Sequence, residues 1–230
     1  MDAAEELPPL KYSPSQERHM TALTQSKPSS WQVAKAAEGI AAAQFARCGF
    51  DVSVQHGADK PGYELVVAKA DNLLKVSVKG SQDGFWNLAQ SYLKRATELS
   101  GKKADYHGAI DLWLDQHGPR TVCCFVQFHG VAIDQLPRVY LASPKEIAHR
   151  LRETAKGRGD SVLYEEHEWT STGDGVGIVE KLLSGWCFSH ERIQELLASQ
   201  EAAWVRRPPL PRVDSSALIA WMACPTQKCA

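Results

Sequence analysis

Hydrophobic and polar positions change period several times along this chain, and each change predicts an element. From Trp31 to Cys48 an alanine-rich stretch predicts a helix. Ser29 and Gln32 have capping-box spacing at its start, and Gly49 supplies a stop. On a period of 3.6, Glu38 shares a face with Ala34, Ala41, Ala42 and Phe45. Its carboxylate either reaches water from the border of the apolar stripe or lies beneath it. The small residues around it let a sheet come close. Phe50 to Gln55 alternates strictly, as a half-buried strand does, and residues 56–62 predict a loop from their Gly and Pro content.

Two more strands are predicted at Tyr63–Ala68 and Leu73–Lys79, joined by a polar turn at Asp71-Asn72. Side chains alternate across a sheet, so Ser77 and Lys79 take one face and Val76 and Val78 the other. Glu64 shares a face with Val66. A suitable register then gathers Glu64, Ser77 and Lys79, with Glu38 of the helix above them.

Further along, Phe85 to Leu99 has a helical pattern. It carries Lys94 and Arg95, and Lys102-Lys103 follow Gly101. These four form either a basic strip that grips phosphates beside the strand ends or an ordinary solvated surface. Asp83, just past Lys79, is a reserve acid. A short helix is predicted over Asp105–Gln116, with His107 and Asp111 spaced to pair on one face. Thr121 to Phe128 is nearly all apolar, which predicts a central strand covered on both sides. Val139–Ala142 predicts another strand. Ser143, Pro144 and Glu146 then open a helix to about Ala155 whose basic C-terminal end suits the helix dipole or, alternatively, phosphates. Ser161 to Trp169 predicts an edge strand, and Ser189 begins a last helix.

The order of these elements, together with Glu38, Pro61-Gly62-Tyr63-Glu64-Leu65-Val66-Val67 and Lys75-Val76-Ser77-Val78-Lys79-Gly80, resembles the PD-(D/E)XK nuclease superfamily. The resemblance spans about Trp31 to Phe128. It implies an α/β fold, a central mixed β-sheet flanked by helices with a restriction-endonuclease-like αβββαβ core. It also implies a Mg²⁺- or Mn²⁺-dependent DNA endonuclease. By position, Glu38 and Glu64 are the implied metal ligands, with the Val78 carbonyl, and Lys79 orients or activates the attacking water. Glu64 stands where Asp is usual, and Ser77 where the family carries Glu, Asp or Gln. A serine hydroxyl is a poor Mg²⁺ ligand. The alternative is a nuclease-like fold with a degraded metal site, serving as a nucleic-acid or protein binding module.

Composition narrows the picture further. The formal net charge of −1 gives no global attraction for nucleic acid, so any DNA contact must come from a local patch. Six cysteines without a disulfide-like framework, no basic-apolar leader and no apolar run near 20 residues predict a soluble, cytoplasmic protein. Cys224 and Cys229 have no matching pair at zinc-finger spacing. Residues 1–28 are expected to form an arm, 29–200 the α/β domain, and 201–230 a proline-rich linker and tail that docks either back on the domain or on a second subunit, as in a homodimer.

Overall fold

A computed structural model describes residues 27–56, 62–170, 177 and 179–205. The expected arm, the proline-rich linker and Cys224 and Cys229 lie essentially outside these. The fold is α/β, with a five-stranded mixed sheet between helices. Among the described residues no helix is long and apolar enough to cross a membrane.

Helix α1 (Ser30–Arg47) begins where its capping box predicts. The Ser29 side chain accepts from the Gln32 N–H, and the Gln32 side chain accepts from the Ser29 N–H. Gly49 ends it at φ 77°. Strands β1 (Asp51–Val54), β2 (Leu65–Lys69) and β3 (Asn72–Ser81) follow as an antiparallel meander. Strand β5 (Thr121–Gln127) lies parallel to β3, and β6 (Arg138–Ala142) lies antiparallel to β5, giving the order β1-β2-β3-β5-β6. Every residue of β5 is buried, as its apolar run predicts.

The two faces of the sheet hold separate cores. Val76, Val78, Val122, Cys124 and Val126 face α1 and the last helix, α5 (His190–Val205). Cys123 and Phe125 face the other layer, formed by α2 (Leu93–Ser100), α3 (Tyr106–Leu114) and α4 (Pro144–Glu153). Helix α4 opens with the predicted Ser143–Glu146 capping box and Pro144 in its first turn. Arg192 of α5 is buried and tied to the sheet. It donates to the Leu141 carbonyl at 3.1 Å and to Glu146 at 2.7 Å.

Three expectations fail locally. Phe85 does not begin a helix: Phe85–Asn87 is strand β4, paired with β7 (Val162–Tyr164), and α2 starts only at Leu93. Trp86 is buried while its neighbours are exposed, a period of two within three residues, and the Leu88 and Ala89 N–H groups donate to the Ser161 carbonyl. The strand expected over 161–169 divides at Glu165 into β7 and β8 (Glu166–Glu168), the latter paired with β9 (Val179–Lys181). His107 and Asp111 do not pair. A His107 ring nitrogen bonds the Gly157 carbonyl, and Asp111 pairs with Arg152. Two other cations at the basic end of α4 are also engaged internally, Arg150 with Glu180 and Arg158 over the Tyr106 and Trp169 rings.

Helix α1 comes close to β3 at Gly80. A Cβ there would lie 2.8 Å from the Val33 carbonyl oxygen and 2.9 Å from the Ala37 Cβ, so only glycine fits. Gly80→Ala is expected to push helix and strand apart and to cost about 1–3 kcal/mol, read as a lower urea midpoint at unchanged m-value.

Candidate functional site

The site lies where β3 outruns β2. Leu65 is the register partner of Val76, yet the Glu64 N–H also donates to the Val76 carbonyl at 2.9 Å. Glu64 and Leu65 therefore both oppose Val76, as in a β-bulge, and strict alternation breaks at Glu64. Its carboxylate turns along the strand edge and accepts the Val78 N–H at 2.7 Å. In a strand, the N–H and C=O of one residue point to the same side. The Val78 carbonyl thus faces the edge that β2 has left open.

A cavity of 680 Å³ opens at this edge. Glu38, Glu64, Val78 and Lys79 all line it, drawn from α1, the start of β2 and the end of β3. Glu38 is not turned to bulk solvent. Its side chain is 12% exposed, and Lys35 contacts its carboxylate at 2.6 Å. Lys79 is exposed, and its carbonyl accepts from the Trp86 indole N–H at 3.0 Å.

The expected placement of Glu38 above Ser77 and Lys79 is not met. Lys79 and Ser77 share a face with Phe125 and Cys123, whereas α1 covers the opposite face. Glu38 and Lys79 therefore meet the cavity from two sides of the sheet rim, with Glu64 in the plane between. Ser77 does not line the cavity. It is 1% exposed, beside Cys123 in the second core.

Asp83 reaches the same cavity, half exposed and held by Lys27 at 2.7 Å. Among the described residues no three His, Cys, Asp or Glu side chains converge closely enough to hold an ion. The oxygen donors at the cavity are the Glu38 and Glu64 carboxylates and the strand-edge Val78 carbonyl, hard donors of the class divalent cations such as Mg²⁺ take. Lys94, Arg95, Lys102 and Lys103 are exposed and line neither this cavity nor its neighbour. Lys94 contacts Glu98 at 4.0 Å and Lys102 contacts Asp105 at 3.4 Å, as on a solvated face. Sequence reasoning missed Trp31, Gln55, His56 and Phe85, which also line the cavity. Only the exposure of Trp31 at the first turn of α1 had a signal of its own, an aromatic out of phase with the buried stripe.

A second cavity, of 780 Å³, adjoins the first and shares Asp83 and Phe85 with it. On its wall Glu165 accepts Arg138 Nε at 2.6 Å, Arg138 Nη2 at 2.8 Å and the Tyr140 hydroxyl at 2.6 Å. Burial alone would raise the Glu165 pKa, but hydrogen bonds from Arg138 and Tyr140 outweigh it and hold the carboxyl below its ordinary 4.5. Burial and the bond to Glu165 push the Tyr140 phenol well above its ordinary range.

Compared with models of known protein families and with curated protein sequences, the chain matches none.

Two outcomes follow from these placements. Ser77→Glu puts a charge into the second core and is expected to destabilise on the order of 3 kcal/mol without tightening Mg²⁺ binding, read by thermal melts with and without the ion. A depressed folded-state pKa stabilises above the unfolded value and loses that stability on acidification. Wild type should therefore exceed Glu165→Gln in stability above about pH 5, with the gap closing as pH falls through and below 4.5, in urea melts across that range.

Proposed function

We propose that the chain is a divalent-metal-dependent hydrolase of DNA phosphodiesters, the activity implied by its resemblance to PD-(D/E)XK nucleases. The observation that supports this reading is one cavity collecting Glu38, Glu64, Val78 and Lys79 from three separate segments. Glu38 and Glu64 would hold Mg²⁺ or Mn²⁺ with the Val78 carbonyl. Such an ion supplies Lewis-acid stabilisation of the phosphoryl oxygens and a more acidic water.

The side chains divide the remaining work. The Val78 N–H fixes one oxygen of Glu64, so this carboxylate enters the site already oriented. The Lys79 ammonium has donors and no acceptor, so it can position a water or a phosphate oxygen and offset the charge that grows there. Lys35 sets the Glu38 carboxylate at the rim. A second reading, a binding module without hydrolysis, is favoured by one specific observation: Ser77 is sealed in the core, which leaves the cavity without an acid at the third position of the family pattern.

Cleavage of linear, circular, branched and single-stranded DNA with Mg²⁺ or Mn²⁺ separates the two. The hydrolase reading expects metal-dependent cleavage that falls about 100-fold or more in Lys79→Ala, with an unchanged melting temperature. Equal cleavage by that variant removes Lys79 from the mechanism. No cleavage by wild type, and no thermal stabilisation by millimolar Mg²⁺ or Mn²⁺, leaves the binding module.

A further inference from the structure

The second cavity has a chemistry unlike the first. Phe85, 37% exposed, stands on the boundary between them. Its ring lies 6.1 Å from that of Tyr164, which stacks on His167 at 4.1 Å with 21° between planes. Trp31, at the start of α1, also lines the first cavity and is 68% exposed. Aromatic surface from α1 and from β4 thus lines the cavity that holds the carboxylates.

Charge in the second cavity argues against an anionic occupant. Asp83, Glu165 and Glu166 line it, and its cations are committed: Arg138 to Glu165, and Lys181 to Glu166 at 2.9 Å. The Glu165 carboxylate is 15% exposed and retains acceptor capacity beyond the three donors it already holds. A flat, neutral ring bearing N–H donors matches such walls. It stacks on the aromatics and donates to the carboxylate, the way unpaired bases are recognised at their edges. The volume of 780 Å³ lies within the range of about 300–1,000 Å³ usual for small-molecule sites.

We propose that the second cavity seats an unpaired nucleobase against Phe85, with Trp31 as a second stacking platform in the adjoining carboxylate cavity. The nucleic acid engaged there is then single-stranded or locally opened rather than an intact duplex. This deepens the nucleic-acid reading above and rests on it. The backbone passes along the first cavity while a base turns into the second.

The test uses the full chain in EDTA, so that binding is measured without hydrolysis. Fluorescence anisotropy compares a labelled short oligo-dC strand, an abasic strand of equal length and a blunt duplex. Oligo-dC should bind at least tenfold more tightly than the other two. Phe85→Ala and Trp31→Ala should each weaken oligo-dC binding roughly tenfold and leave the abasic strand unaffected. Trp31 is exposed near the start of its helix, where alanine is well tolerated, so that variant reads stacking in the first cavity, and the wild-type comparison of oligo-dC with the abasic strand tests the seat if Phe85→Ala fails to fold. Equal binding of the abasic strand, tighter binding of the duplex, or wild-type oligo-dC affinity in folded variants overturns the proposal. Base-dependent binding by a chain that cleaves nothing upholds the seat while the hydrolase reading fails. Metal-dependent cleavage without base-dependent binding does the reverse.

Discussion

The contact between α1 and β3 at Gly80 is the constraint on which the other placements depend. Without a Cβ at that point the helix backbone comes down onto the strand, with the Val33 carbonyl and the Ala37 methyl meeting it directly. Val33, Ala37, Ala41 and Phe45, spaced by four, form the buried stripe, and Glu38 falls one position beyond Ala37, at the stripe's border. Its height above the sheet is thus set by a glycine on another element. Lys79 emerges on the opposite face, at the end of β3.

A second constraint is the unequal length of neighbouring strands. β3 runs ten residues while β2 runs five, so the β2-facing edge of β3 loses its ladder partner beyond Val76. A backbone N–H left without a partner is costly, and the Glu64 carboxylate satisfies the one at Val78. Structural repair and placement of a candidate ligand are here the same hydrogen bond. On the opposite face, burial makes the neighbouring chemistry inert: the Cys123 thiol is pushed up to about 12 by desolvation, and Ser77 is packed beside it. Position along the strand therefore separates reactive from silent residues more sharply than residue type does.

Much of this fold was legible in the chain. Caps at Ser29 and Ser143 act through bonds three residues away, and the apolar run at 121–128 needs no partner to be read as buried. The β2–β3 turn was legible as well, although the tight link falls at Ala70, with positive φ, and Asp71. The failures involve distant partners. Phe85–Asn87 is a strand because residues near 162 run beside it, and His107 and Asp111 are claimed by Gly157 and Arg152 rather than by each other. Of the expected site residues, Glu38, Glu64, Val78 and Lys79 line one cavity while Ser77 is buried away from it, and the arrangement was not legible. A single bulge at Glu64 shifts a carboxylate from a face to an edge, and periodicity carries no sign of it. Trp31 and Phe85 enter the site only through tertiary placement.

Arg192 has a bearing on where this molecule can be divided. It lies beneath the surface with its guanidinium spent on a β6 carbonyl and on the first turn of α4, while Ile193, Leu196 and Leu197 close the core over α1's side of the sheet. α5 is thus a wall of the domain and not an appendage, although it is the last described element. A proteolytic nick or an expression fragment ending before residue 190 would uncover β6 and strand the Glu146 carboxylate without its cation. The core on α1's side of the sheet is complete only with that helix in place.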